Sequence, residues 1–128
     1  MQISKKSQYG MRAMVLLAKN YKKKQVLSLK DISKQEMIPF DFLEKIISQI
    51  EKAGFVKGKK GIGGGYVLLK DPKKITANDI VEVLENTVPV NCFLCGRKHK
   101  CTVKSVWAKV DLALKKSLKS IKLSDFIK

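Results

Sequence analysis

The sequence holds a single histidine, three prolines and three cysteines, and sets only 11 acidic residues against 27 lysines and arginines. With one histidine there is no serine–histidine pair with a plausible acid beside it, and no phosphate-binding loop signature is present. An enzyme is therefore the weakest class, and any thiol chemistry would have to sit at Cys92 and Cys95. Three cysteines is an odd number, which argues against a disulfide scaffold and for a reducing compartment. No apolar run approaches the roughly 20 residues that a membrane-spanning helix needs. The start, Met1 to Lys6, leads into a broken apolar pattern without a small-residue cleavage site, so no signal peptide is expected. These absences predict a cytoplasmic protein with no membrane partner. Internal repeats and low-complexity linkers are also lacking.

What is abundant is positive charge, a formal +16 on 128 residues. Such a field attracts polyanions, whether DNA, RNA or an anionic membrane surface. The bland alternative is lysine scattered for solubility. Lysine far outnumbers arginine, which weakens any mechanism built on bidentate guanidinium forks. The length suits one domain with a real core and an appended element.

The pattern is densest between Ile38 and Leu69. Phe42, Leu43, Ile46, Ile47, Ile50 and Ala53 recur at helical spacing, with Asp41, Glu44, Lys45, Ser48, Gln49, Glu51 and Lys52 on the opposite face. Pro39 suits the first turn and Gly54 the position past the end. Phe55-Val56 and Tyr66–Leu69 then read as two β runs around the loop Gly58–Gly65. A helix followed at once by a basic hairpin is the DNA-reading half of a winged helix-turn-helix, the helix entering a major groove and the hairpin lying on backbone or minor groove.

Before it, Ser4 or Ser7 can cap a first helix over about Gln8 to Tyr21, with Tyr9, Ala13, Leu16 and Leu17 on one face. Lys22 to Lys24 read as a solvated charge run. Ser28 with Asp31 begins a second helix that buries Leu29 and Ile32 and reaches about Gln35. Glu36 to Ile38 form the tight turn of a helix-turn-helix. After it, Lys70 to Lys74 is a turn, and Thr76 to Asp79 opens a fourth helix with Ile80, Val81, Val83 and Leu84 apolar. A loop with all three cysteines follows. Val103, Trp107, Val110, Leu114, Ser117 and Ile121 then step by four and three, a coiled-coil-like seam on one long helix. Because the domain before it reads as complete, the seam suits packing against a second copy. A short closing turn covers Leu123 to Ile127.

This order of parts resembles the IscR-like (Rrf-type) family of bacterial winged-helix transcription regulators, over nearly the whole chain from Ser4 to Ile127. Ser7–Met14 looks like the family's first-helix opening, and Phe42–Ile46 with Gly54-Phe55-Val56 like its reading helix and exit. Gly61–Tyr66 looks like its wing, and Ile75–Val81 is similar to its fourth helix. The cysteine loop ending in Val106-Trp107 resembles its cofactor loop and the start of its dimerisation helix. The resemblance implies that Glu44 contacts bases, and a carboxylate can accept from cytosine N4. It also implies an iron–sulfur cluster held by three cysteines and a fourth, non-cysteine ligand. Three features depart from the family: Lys60 stands where the wing usually carries arginine, the first cysteine spacing is shorter, and Lys104 stands where some members have a ligating histidine.

The expectation is a mainly α fold, a winged helix-turn-helix with a two-stranded wing and a long C-terminal dimerisation helix. Residues 1–87 would form the DNA-binding domain, 88–102 the cysteine loop and 103–128 the dimerisation helix with its closing turn. The DNA-facing set is Ser28, Phe40, Asp41, Glu44, Lys45, Ser48, Lys57, Lys59, Lys60, Gly61, Gly63 and Gly64. The metal set is Cys92, Cys95 and Cys101 with His99 as fourth-ligand candidate, holding a 2Fe-2S or 4Fe-4S cluster, with zinc or unliganded thiols as alternatives. The dimer set is Val103, Trp107, Val110, Leu114 and Ile121. The expected function is a homodimeric regulator that binds double-stranded DNA in response to the state of the cysteine loop. The alternative is a cluster-free or zinc-stabilised winged-helix module that binds RNA or a protein.

Overall fold

Local capping chemistry sets most of the helix boundaries. The computed structural model describes residues 3–85 and 103–127. Ser4 caps the first helix, α1 (Lys5–Lys19), by accepting from Ser7 N at 3.2 Å. Ser7 itself is buried inside the helix rather than capping it, and the helix begins three residues before Gln8. Ser28 caps α2 (Leu29–Glu36) through the Asp31 N–H. Met37 then turns the chain at φ 55° into α3 (Phe40–Lys52), which Gly54 ends at φ 89°. Thr76 and Asp79 cap α4 (Ala77–Leu84) reciprocally, and α5 covers Lys104–Lys119. Single 3₁₀ turns sit at Pro72–Lys74 and Leu123–Phe126.

Strands β1 (Val56–Lys59) and β2 (Gly65–Leu68) pair antiparallel, Val56 opposite Leu68 and Lys59 opposite Gly65. A third piece of backbone joins them. Leu27, just before α2, exchanges hydrogen bonds with Tyr66 in both directions, at 3.1 and 2.7 Å. The approach is so close that a Cβ at position 65 would collide with the Leu27 carbonyl. The wing is thus fastened to the start of α2.

One core joins these elements: Met14 and Leu17 of α1, Ile32 of α2, Leu43, Ile46, Ile47 and Ile50 of α3, and Ile80 and Leu84 of α4. Two members of the predicted α3 face lie elsewhere. Ala53 is exposed at the helix end, and Phe42 is 38% exposed, set edge-on to Tyr9 with ring centroids 5.5 Å apart. Leu29 and Leu16 are half-buried rather than interior. Leu123 is fully buried in this same core, and Ile75 O accepts its N–H at 3.0 Å. The segment after α5, expected as a closing turn, therefore completes the core that α1 to α4 build. Ile121 lies beyond the end of α5, where its carbonyl accepts from Ala77 N at 2.8 Å. The helical part of the predicted seam accordingly runs from Trp107 to Ser117.

Candidate nucleic-acid interface

An amphipathic helix packed through four large aliphatic residues must turn its polar stripe outward. On α3 that stripe is Asp41, Glu44 and Lys45, all exposed, with Ser48 half-buried beside them. Phe40 stands 44% exposed at the head of the helix. No side chain caps the N-terminus of α3, so its first N–H groups remain open to an anion.

The wing is held at a fixed distance from this helix. Glu51 near the end of α3 accepts from Gly58 N on β1 at 2.9 Å. Between α2, α3 and the wing lies an open groove of about 620 Å³, lined by Ser28, Lys30, Phe40, Glu51, Gly58, Lys59, Lys60 and Tyr66 among others. Three of those residues are lysines, a composition suited to a phosphate backbone. Lys57, Lys59 and Lys60 are all exposed. At the tip, Gly61 and Gly63 take positive φ, 97° and 78°, with nothing within 4 Å of where a Cβ would stand. Gly64 differs from them: its N–H is already given to the Gly61 carbonyl and is not free for a phosphate.

Among the predicted DNA-facing residues, Ser28, Phe40, Lys59 and Lys60 line this one groove. Asp41, Glu44, Lys45 and Ser48 continue along the outer side of α3. Ser28 also serves as the α2 cap, so one of its acceptor sites is occupied. Three polar side chains of the groove escaped the sequence reading in this role. Lys30 carries no local signal beyond its charge. Glu51 reads as an ordinary solvent-facing acid until the strand it anchors is known. Tyr66 reads as a strand start, yet its ring lies against Gly58. Burial, then the charges of Glu51 and Glu44, push its phenol pKa up from an ordinary value that already leaves it a neutral hydroxyl donor at physiological pH.

A second cluster ties the start of the chain to the end of α4. Glu85 Oε1 accepts from Ser4 N at 2.9 Å, Ser4 Oγ at 2.6 Å and Ser7 Oγ at 2.8 Å. The Ser4 hydroxyl above all, then the Ser4 N–H, Ser7 and the charge of Lys6, hold its pKa below the usual glutamate value against the opposing effect of burial. A carboxylate at the N-terminus of α1 also complements the helix dipole. Glu85 is the last described residue before the cysteine loop. Cys92, Cys95, Cys101 and His99 lie outside the described residues.

On α5 no residue with a described side chain is buried. The helix meets α4. Along it Val106 and Trp107 are 47% and 38% exposed, with Val110 and Leu114 half-buried, and Val103 is 47% exposed just before it. Among the described residues no helix is long and apolar enough to cross a membrane.

The chain is similar to known proteins over nearly its full length. The profile of the Rrf2 family, described as "Iron-dependent Transcriptional regulator", matches residues 3–128. The HTH-type transcriptional regulator CymR of Bacillus subtilis (strain 168) is 36% identical over 125 residues, which cover 98% of this chain and 88% of that protein. The fold is similar to that of T. potens IscR, with a TM-score of 0.81 and 35% identity over 98% of this chain and 85% of the other. It is equally similar to the solved structure of CymR, the global cysteine regulator of B. subtilis, with a TM-score of 0.82 and 35% identity over 98% and 95% of the two chains. These relatives are regulators rather than enzymes. By the extent of these matches, and by the winged helix-turn-helix beneath them, the chain belongs to the Rrf2 family of DNA-binding transcriptional regulators.

Proposed function

We propose that the protein is a cytoplasmic homodimer that binds duplex DNA sequence-specifically, with an affinity set by an iron–sulfur cluster or by the redox state of its three cysteines. The observation that carries the DNA part is the lysine-lined groove between α2, α3 and the wing, continuous with the exposed polar stripe of α3. Glu44 is the base-reading candidate, because an ionised carboxylate can accept from cytosine N4 in the major groove. Lys30, Lys59 and Lys60 neutralise phosphates, and Tyr66 donates its hydroxyl to the backbone. Dimerisation rests on α5, whose Trp107, Val110 and Leu114 are only partly covered by the described residues.

The donor set of the loop fits a thiolate-bound group. Cys92, Cys95 and Cys101 lie within ten residues, and Arg97, Lys98, Lys100 and Lys104 surround them in sequence with positive charge that lowers a thiol pKa. Those three cysteines, with His99 as fourth donor, would hold an iron–sulfur cluster, which supplies a redox-active centre when bound. Glu85 fastens the entry of the loop to the head of α1, and α5 begins at its exit, so a change in the loop acts on both ends of the DNA-binding unit.

A second reading, a cluster-free regulator, is favoured by the relatedness to CymR, described as a cysteine regulator. Purification without oxygen, followed by iron, sulfide and zinc analysis of the wild type and of Cys92→Ser, Cys95→Ser and Cys101→Ser, separates the two. Iron with sulfide in the wild type, lost in each variant together with a shift in DNA affinity, is the expected result. Zinc without sulfide makes the site structural. Neither metal, with unchanged DNA binding in all three variants, ends the switch.

A further inference from the structure

Ile62 has a relative exposure of 110%, the largest among the exposed large apolar residues described. It stands at the apex of the wing, in the turn Gly61–Gly64 closed by the Gly64 N–H on the Gly61 carbonyl at 2.9 Å. Gly63, at φ 78°, supplies the left-handed third position that a type II turn requires, which puts Ile62 at the outer corner. Its neighbours on both sides are glycines and give it no cover. Ile62 belongs neither to the core nor to the partly buried residues packed on it, so folding does not account for it. Lys57, Lys59 and Lys60 are exposed on the same hairpin.

We propose that Ile62 is an apolar wedge that enters the minor groove of duplex DNA beside each half-site and discriminates against guanine there. The proposal rests on the duplex-binding function above. The minor groove is about 6 Å wide, and a tip of one aliphatic side chain between glycines is narrow enough to reach its floor. The lysines match the phosphates on either lip, so the charge of the hairpin fits this occupant. An A·T pair offers a floor of acceptors without an obstruction, whereas a G·C pair raises the guanine N2 amino group into the groove. An isoleucine over that amino group strips its water and returns no hydrogen bond, which is unfavourable. Lys60, a point charge rather than a fork, fixes the position of the tip and leaves base discrimination to Ile62.

The test uses a duplex selected from a random pool, with half-sites kept and the base pairs under the wing replaced by A·T, G·C or inosine·cytosine. Inosine presents the major-groove atoms of guanine but lacks the N2 amino group. The wild type is expected to bind A·T and inosine·cytosine flanks alike, and about fivefold or more tighter than G·C, the low end of what one unfavourable base pair costs. Ile62→Ala should bind all three alike while keeping its preference for the selected half-sites. The wedge is overturned if inosine·cytosine behaves as G·C, or if Ile62→Ala discriminates as the wild type does. Wild-type binding that distinguishes half-sites but not flanks removes the wedge alone. A wild type that binds no duplex removes the underlying function with it. If Ile62→Ala abolishes sedimentation with phosphatidylserine vesicles and leaves flank discrimination intact, the tip serves a membrane instead.

Discussion

On the proposed function, Glu44 and Lys60 would divide two kinds of DNA contact between two side chains of opposite charge. Lys60 lies exposed on the groove, where it would meet phosphate as a point charge. Lys60→Ala should therefore weaken binding to all duplexes about equally and reduce the slope of log affinity against log salt by about one unit. Glu44→Ala should instead relax the preference at one base position by roughly 1–3 kcal/mol. Affinities across a panel of single-base variants of a selected site, at several salt concentrations, check both. Glu85 offers a prediction that concerns stability. Its carboxyl is held below its ordinary pKa by Ser4 and Ser7, so the folded state binds that proton less readily than the unfolded one. The resulting stabilisation is fully present above the unfolded value, about 4.3, and is lost as pH falls through the depressed folded value. Glu85→Ala should lower stability by about 1–2 kcal/mol at neutral pH, and the difference from wild type should shrink in acid. Urea unfolding at pH 7 and below pH 4 measures it.

Caps and turns were the most legible features of the sequence, because they depend on near neighbours. Ser28 with Asp31, Thr76 with Asp79, and Gly54 after α3 all act where their types and spacing indicate. Contacts between distant segments were not legible. Glu85 and Ser4 are 81 positions apart, and nothing in either neighbourhood announces the pair. The Leu27–Tyr66 bridge is hidden for the same reason, as is the seat of Leu123 in the core. Periodicity also overstated α3, since Phe42 matches the apolar spacing but finds Tyr9 at the surface rather than the interior. Of the candidate site, residue type and position on α3 and the wing could be read, but not the groove that joins them. Two substitutions follow. Leu123→Ala should destabilise the domain by about 2–5 kcal/mol, seen as an earlier urea midpoint, because it opens a cavity in a shared core. Trp107→Asp should leave that core intact and yield a monomer in sedimentation equilibrium, with weaker DNA binding.

A dimer held by α5 would carry two reading heads, each an α3 with its wing, related by a two-fold axis. Its net charge draws it to DNA from any direction, while specificity comes from the few groups that reach base edges. The cysteine loop sits in sequence between the DNA-binding unit and the helix that would pair the two chains, a position from which, on the proposed function, ligation would alter the spacing of the heads. Hydroxyl-radical footprinting of the anaerobically purified protein on a duplex selected from a random pool tests this arrangement most directly. Two protected half-sites related by two-fold symmetry, with centres about 10 bp or a small multiple apart, are predicted. Protection should also fade steeply as salt rises. A single asymmetric footprint, or protection that is indifferent to both sequence and salt, would contradict it.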